Sequence, residues 1–319
     1  MTSSHRHPAP RGVVRFHGPA RSRLLGAATG IVVDGALPEP PSAVHPVALF
    51  GRTMTGIESL LYRDRRLAGV VFALTGTALG AAAGVAVRST AVATTMAVAG
   101  HSLADTATGI GRALDTGDLD RARALLPSLV GRDPTGLDEN EVARAVVESV
   151  AENTVDAVVA PALWAALAGA PGALAHRAVN TLDAMVGHRS DCYVNFGWAS
   201  ARLDDAMAWL PARLTAVLVA LVRPAAARSV AHAVYRQAPA HPSPNAGVAE
   251  AAFAAALGLR LGGENRYGDR VELRPPLGDG VAAEPPDIHR AVRLSQDVGS
   301  GMAAGLVAVG SLPWWRWRR

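Results

Sequence analysis

Long uncharged runs alternate along the chain with short, densely polar junctions. The clearest run, Leu67 to Val87, carries no charge and is bracketed by Arg63, Asp64, Arg65 and Arg66 on one side and Arg88 on the other. A bilayer span needs about 20 apolar residues, so this pattern predicts a transmembrane helix. Its Gly69, Gly76, Gly80 and Gly84 have the small-xxx-small spacing that lets helices approach closely in lipid. Ser89 to Leu103 is a second, weaker candidate, and Leu24 to Val33 is short and ends at Asp34. Ala157 to Ala175 is uncharged but interrupted by Pro161 and Pro171, which predicts a kinked or re-entrant span. Ala206 to Val222 is pierced by Arg213. Val298 to Leu312 closes the series, followed by a tail in which Trp314, Trp315 and Trp317 interleave with arginines, as suits a headgroup boundary. About four or five spans follow from this pattern. The arginine bias places the Arg63 to Arg66 end in the cytoplasm.

The polar stretches complete the layout. Met1 to Arg23 is rich in His, Arg and Pro without an apolar h-region, and it reads as a disordered leader rather than a signal peptide. That leaves residues 24–319 as a single membrane-embedded helical domain, with no internal repeat. The prolines between Asp34 and His45 put Asp34, Glu39 and His45 in loops or turns, and His45-Pro46 suits a helix N-terminus with Pro at its first position. From Arg112 to Arg144 the texture is soluble-like. Asp138 with Glu141 forms a capping-box pattern at the start of a helix running through Glu148 towards Pro161. Arg228 to Ala240 is polar and helical. His241 to Gly247 (HPSPNAG) is a rigid turn that opens a helix around Glu250. Leu261 to Arg270 is a glycine-rich loop, equally readable as a phosphate contact or a surface hairpin, and Arg274 to Asp287 is a Pro-rich loop. The expected fold is all-α: a multi-pass integral membrane helical bundle with kinked or re-entrant spans and a soluble-like helical segment.

Composition changes this picture in two ways. Hydrophobic residues make up 50% of the 319 and charged ones 18%, low for a soluble protein, although an Ala-rich soluble bundle has a similar profile. Every basic residue is Arg. Without Lys the chain has neither a Walker A phosphate loop nor a Schiff-base amine. The formal net charge of +4 is mild and no basic stripe marks a nucleic-acid binder. Cys192, the single cysteine, excludes an internal disulfide and a cysteine metal cage. Such a lone thiol is most often a small buried side chain.

Candidate chemistry concentrates between Glu148 and Asp205. Glu148, Glu152 and Asp156 fall at i, i+4 and i+8 on a helix, drifting slowly around one face, with Asn153 beside them. Arg144 lies one turn before Glu148, so those two make an ordinary surface pair. Glu152 and Asp156 run directly into an apolar stretch, where a carboxylate is costly unless it binds a cation or substrate. Asn180, Asp183, His188, Arg189 and Asp191 follow that stretch, then Arg202, Asp204 and Asp205. Each also has a plainer structural use: Asp204-Asp205 as a helix cap, the asparagines as caps or interhelical bonds, and Trp164, Trp198 and Trp209 as core or lipid-boundary residues.

The segments ESVAENTVDAVVAP, NTLDAMVGH, FGWASARLDD, PARLTA and HPSPNAG together resemble the adenosylcobinamide-phosphate synthase family of cobalamin biosynthesis (CobD/CbiB family). The likeness extends from about Asp34 to Tyr267, in the same order and with similar gaps. One departure is Pro38-Glu39-Pro40, where the family usually has Gly-Asp-Pro ahead of its His-Pro; His45-Pro46-Val47 matches.

The resemblance implies an integral enzyme of the cell membrane with its active-site loops on the cytoplasmic side. It would form an amide between a propionate carboxylate of adenosylcobyric acid and (R)-1-amino-2-propanol or its O-phosphate, using ATP and Mg²⁺, with the corrinoid as substrate rather than cofactor. Its partners would be those substrates, the lipid bilayer and neighbouring corrinoid-pathway enzymes, and no nucleic acid. A carboxylate must be activated before an amine attacks it, for instance as an acyl phosphate, and phosphoryl transfer calls for Mg²⁺ and cationic groups. Glu148, Glu152 and Asp156, or Asp204 and Asp205, suit the metal. Arg189 and Arg202 suit phosphate, with Asn153, Asn180, Asn245 and His45 as further substrate contacts. Asp183 or His188 suits the base that frees the amine, with Glu152 as a further catalytic group. The competing class is a membrane transporter of a small anionic solute, which also sets charges beside broken helices; it would ordinarily show paired halves.

Overall fold

The computed structural model describes residues 19–312 apart from 39, 42, 132, 189, 268 and 269. Its helices are α1 (Pro19–Ala36), α2 (Pro46–Leu61), α3 (Arg66–Val87), α4 (Thr90–Ala97), α5 (Gly100–Asp115), α6 (Leu119–Leu125), α7 (Glu139–Thr154), α8 (Ala160–Leu182), α9 (Trp198–Val222), α10 (Ala227–Arg236), α11 (Ala246–Leu257) and α12 (Pro285–Ser311). Two π-helical turns, Val155–Val159 and Asp183–Gly187, join α7 to α8 and continue α8. Three strands, β1 (Leu259–Tyr267), β2 (Arg270–Leu277) and β3 (Val281–Ala282), form one small sheet in the order β2-β1-β3. The all-α expectation holds for the bulk of the chain. The glycine-rich stretch proves to be an antiparallel hairpin, with a bulge between Leu261 and Gly263.

The helix opened by Asp138 shapes the interior. Asp138 Oδ1 accepts from the Glu141 N–H at 2.8 Å, and Glu141 Oε2 accepts from the Asp138 N–H at 2.9 Å, the reciprocal cap expected. From there the chain stays helical to Gly187, but it does not stay straight. Gly169 takes φ 70° and ψ −154°, a region open essentially to glycine, and Pro171 then restarts the helix. Pro161 sits in the first turn of α8, where its missing N–H costs little. On a straight helix Asp156 and Asp183 would lie about 40 Å apart at roughly 1.5 Å per residue. Both instead line one cavity. The two halves of the segment therefore fold back on each other, and each, at roughly 20 Å, is shorter than the hydrocarbon core of a bilayer, about 30 Å thick. This is the re-entrant form of the span.

By length and apolarity three helical stretches among the described residues can cross a membrane: Arg66–Val87, Glu139–Gly187 and Trp198–Val222. The second is the folded one. The larger number expected from hydropathy falls because Ser89 to Leu103 is broken at Val98-Ala99 into α4 and α5, and because Val298 to Leu312 is only the second half of the amphipathic α12. α1 begins at Pro19, so residues 19–23 belong to it rather than to a leader; residues 1–18, Glu39 and the Pro313–Arg319 tail lie outside the described residues.

Several junction residues differ from expectation for clear reasons. Asp34 is no loop residue. It lies buried in the last turn of α1, and its Oδ2 accepts from the N–H groups of Gly100 and His101, capping α5 from a distant helix. Cys192 is exposed in the turn between α8 and α9. Asp204 and Asp205 lie within α9 and cap nothing. His45 precedes α2 with Pro46 at the first helical position, as its neighbour implies.

From Gly76 onward the glycine stripe of α3 faces α8, while Gly69 meets the Phe196 backbone. Gly69, Gly76, Gly80 and Gly84 are all buried, and a methyl at Gly80 would come within 2.6 Å of Ala178 Cβ and of the Leu174 carbonyl oxygen. Gly80→Leu is therefore expected to lower the thermal midpoint of the detergent-solubilised protein, by the equivalent of about 1–3 kcal/mol or more for overpacking. Gly56→Ala on α2, where nothing lies within 4 Å of the added methyl, should leave that midpoint unchanged or raise it.

Candidate functional site

The fold-back brings together side chains that the sequence spreads over more than a hundred positions. A polar cavity of about 280 Å³ is lined by Glu148, Ser149, Glu152, Asn153 and Asp156 from α7 and the first π-turn, by Asn180 and Asp183 from the far end of α8 and the second π-turn, and by Asn265 and Arg274 from the hairpin. A smaller cavity of about 30 Å³ adjoins it. That space shares Glu152 and Asp156 and adds Asp204 and Asp205 of α9 with Ser243 and Asn245 of the following turn. Asp156, Asp183 and Asp204 are close enough for their charges to act on one another, and Glu152 acts on all three.

Local backbone explains why these acids point inwards. A π-turn inserts an extra residue into helical pairing, a device frequent at functional sites, and each of the two π-turns carries one of the central carboxylates. Gly187 is required beside the second. A methyl there would overlap Asp183 Oδ1, so only glycine leaves the carboxylate its place. Asn153 is anchored by bonds from its Nδ2 to the Ser149 carbonyl at 2.9 Å and to Ser149 Oγ at 3.1 Å. Asn180 accepts from Arg177 Nη1 at 3.4 Å and reaches the Asp204 carboxylate. Asp204 Oδ1 is buried without a hydrogen-bond partner among the described residues.

The hairpin roofs the site, and Arg144 straps it down. Its guanidinium donates to the Gly262 carbonyl at 2.6 Å, to the Glu264 carbonyl at 2.8 Å and to Asn265 Oδ1 at 3.3 Å. It also pairs with Glu148 at 3.4 Å, and Glu148 Oε1 in turn accepts from the Gly262 N–H at 2.9 Å. The expected ordinary surface pair is thus a mostly buried one, and Glu148 serves the hairpin rather than standing open to a metal. Arg274, on β2, is held by Glu250 at 3.5 Å and Glu272 at 3.6 Å. Glu250 is fully buried and also lies 3.6 Å from His241. Burial holds that imidazole below the usual histidine range, so His241 is neutral at pH 7.

Asn245 joins α9 to the 241–246 turn. Its Oδ1 accepts from Arg213 at 2.8 Å and its Nδ2 donates to the Asp205 carbonyl at 2.8 Å. Other expected site residues stand apart. Arg202 is exposed and pairs loosely with Asp205 at 3.9 Å, while His188 is exposed with its ring edge against Tyr193. Neither lines either of these two cavities, nor does His45, and Arg189 lies outside the described residues. Arg274, Arg177, Ser243 and Asn265 went unnoticed in the sequence. The alternation in Val271 to Leu277 was the available signal for Arg274 on a strand, but the pairing of Gly263 with Arg274 that places it has no trace in local pattern.

Among the described residues no group of three or more His, Cys, Asp or Glu side chains forms a ready metal cage. Mg²⁺ asks for less: one or two carboxylates, with waters and phosphate oxygens completing its shell. One or two of the carboxylates here, Glu152 or Asp156, shared by both cavities, or Asp204 with its unbonded Oδ1, meet that need.

A family model described as CobD/Cbib protein matches residues 27–295. The chain is 47% identical over 301 residues to the cobalamin biosynthesis protein CobD of Mycobacterium tuberculosis (strain ATCC 25618 / H37Rv), covering 90% of this chain and 96% of that one. It is 42% identical over 282 residues to the protein of the same name from Rhodobacter capsulatus (83% and 90% covered) and 39% identical over 307 residues to that from Pelobacter propionicus (89% and 94% covered). No solved structure matches the chain.

Two outcomes test this geometry. Arg144→Ala removes the guanidinium that pairs with buried Glu148 and binds two hairpin carbonyls, and breaking a buried pair costs about 3–5 kcal/mol; it should unfasten the hairpin and open residues 259–277 to limited proteolysis before global unfolding. The turn before α9 gives a pH test. The Tyr193 hydroxyl donates to Glu58 Oε1 at 2.6 Å, and that bond pushes the phenol up to about 12. Because the bond favours the protonated phenol, its contribution is complete below about pH 10 and is lost as pH rises through about 12. Glu58→Gln should move the onset of this tyrosinate absorbance to lower pH, and Tyr193→Phe should remove it.

Proposed function

The chain belongs to the CobD/Cbib family and to cobalamin biosynthesis, and from that premise we propose that it is the ligase joining adenosylcobyric acid to (R)-1-amino-2-propanol or its O-phosphate. ATP would be consumed and adenosylcobinamide or its phosphate released. The observation that supports this most is the convergence of four separate polar segments, from α7, α8, α9 and the 241–246 turn, on two adjoining cavities. A carboxylate–amine condensation needs an anion activated beside a base, and this site offers carboxylates, amides and Arg274 in a space partly shut from water.

Each side chain then has a defined task. Asp183, seated against Gly187, accepts a proton from the ammonium of the amino alcohol, leaving the nucleophilic amine. Asn153 and Asn180 orient its polar groups. Arg274, on the wall of the larger cavity, offers the guanidinium that phosphate oxygens need, a task the sequence had suggested for Arg189 and Arg202. One or two of Glu152, Asp156 and Asp204 would hold Mg²⁺, which would supply positive charge to offset that of the phosphates. Closure by the hairpin keeps water from an activated acid. The site would lie on the cytoplasmic side, where ATP is; both mouths of the folded α8 segment open to the same side, which suits that placement.

Membranes carrying the protein, given ATP, Mg²⁺, adenosylcobyric acid and either amine, should yield a corrinoid whose mass has grown by the amine less water. Asp183→Asn and Asp156→Asn should each lower kcat/KM by about 10²–10⁴, the range of a lost general base or of lost charge stabilisation. Arg202→Ala should change it far less. Undiminished turnover in both aspartate variants would remove the assignment.

A further inference from the structure

The carboxylate cavities are too small for the acid partner. At about 280 Å³ the larger one has room for an amino alcohol or a hydrated cation. Pockets for drug-sized ligands run to about 300–1,000 Å³, and a corrin with its fringe of amide arms is larger than such a ligand, so it needs an open groove that takes part of it. A larger space of that kind lies on the other side of the 241–246 turn. It is a groove of about 760 Å³ between α9, α10 and α11, walled by Val217 and Ala220 on one side and Ala231 and Val234 on the other, with Tyr235 at its rim.

One stretch of backbone divides this groove from the chemistry. Along it residues alternate: Pro242 and Pro244 line the groove, while Ser243 and Asn245 line the smaller carboxylate cavity. Arg213 belongs to the groove, stacks 4.6 Å over Trp209, and donates to Asn245 Oδ1 at 2.8 Å. Groove and cavity are therefore separated by the width of one hydrogen bond, and the groove side of that bond is cationic. An apolar slot with an arginine at its inner wall suits a large ring that carries one reactive carboxylate.

We infer that the α9–α10–α11 groove is the docking site of the corrin macrocycle, with its propionate directed past Arg213 and Asn245 towards Asp204 and Glu152. This placement rests on the ligase reading above. It assigns the bulky acid to the groove and leaves the two carboxylate cavities to the amine and the metal-nucleotide.

The test is binding without turnover. Full-length protein in nanodiscs is equilibrated with adenosylcobyric acid, no nucleotide present, and the corrinoid retained on ultrafiltration is read by its visible absorbance. Ala231→Trp and Val217→Trp fill the groove from opposite walls, at positions exposed in the structure. Thermal midpoints matching wild type show that the variants are folded, and should one unfold, the other carries the test. The expected result is retention by wild type and at least a tenfold loss of affinity in the variants. Equal affinity in wild type and variants overturns the placement and leaves the ligase reading standing. So does an outcome in which the variants shed a co-purifying phospholipid, detected by mass, yet keep the corrinoid. Failure of the wild type to retain corrinoid overturns both.

Discussion

The fold turns on a reversal inside one helix. Gly169 adopts a backbone conformation closed to other residues, Pro171 restarts the helix two positions later, and the segment from Asp156 to Asp183 doubles back within the protein. A helix that ran straight through would carry those acids to opposite ends of a span. Doubled back, it holds them at one level, at a common mouth. Everything polar in the centre of the molecule follows from that reversal: the two π-turns meet, α9 packs beside them with Asp204 and Asp205, and α3 can press its glycine face along the returning half because nothing larger intervenes. The reversal also meets one of its own backbone needs, since the Leu167 carbonyl accepts from Arg23 Nη1 at 3.0 Å.

Gathering carboxylates works against stability, and the surroundings show how it is tolerated. Like charges in a poorly hydrated space repel strongly, so such clusters persist where amides, arginines or bound cations offset them. Here Asn153, Asn180 and Asn245 supply amides, the first two fixed by bonds within their own helices and the third by bonds to α9, and Arg144, Arg177 and Arg274 supply charge from outside the cluster. Arg144 does most by geometry. One guanidinium, bound at the same time to two hairpin carbonyls, to Asn265 and to Glu148, fixes a β-hairpin over an otherwise helical site. Arginine suits that task because its donors form a rigid planar fork and its charge persists at any relevant pH.

How much of this was legible in the sequence depended on the range of the interaction that decided it. The stretch from Glu148 to Asp205 could be identified as the centre because polar residues flanking an apolar run are a local signal, and the cap at Asp138 and the proline-opened α2 were local too. Pro161 and Pro171 suggested a kink, yet the bend lies at Gly169, since a proline in the first turn of a helix costs nothing and only glycine reaches the required dihedrals. What local pattern could not give was pairing at a distance. The capping of α5 by Asp34 from α1, the register that sets Gly263 opposite Arg274, and the burial of the Arg144–Glu148 pair under a hairpin are all contacts between remote segments. The phosphate-suited arginines were sought beside the acids in sequence, at Arg189 and Arg202. The arginine that lines the cavity comes from a strand of the hairpin.

The arrangement also explains why a single short turn is so constrained. In HPSPNAG the residues alternate between two environments, so the turn must be rigid enough to keep them apart, and two prolines with a buried histidine make it so. Gly247 completes it by packing its bare backbone against the His241 ring, with no room for a side chain. Behind the turn, Glu250 lies fully buried between His241 and Arg274, and so links the wall of the groove to the wall of the carboxylate cavity. Under the proposed reaction the faces of the large ring would meet hydrocarbon-like surface, while the small polar amine would lie among carboxylates and amides. A wall one residue thick, polar on one face and apolar on the other, would meet both needs with the proposed reacting groups within reach. That is a stricter requirement than either pocket alone would impose, and it accounts for a turn in which almost every side chain, on either face, is already committed.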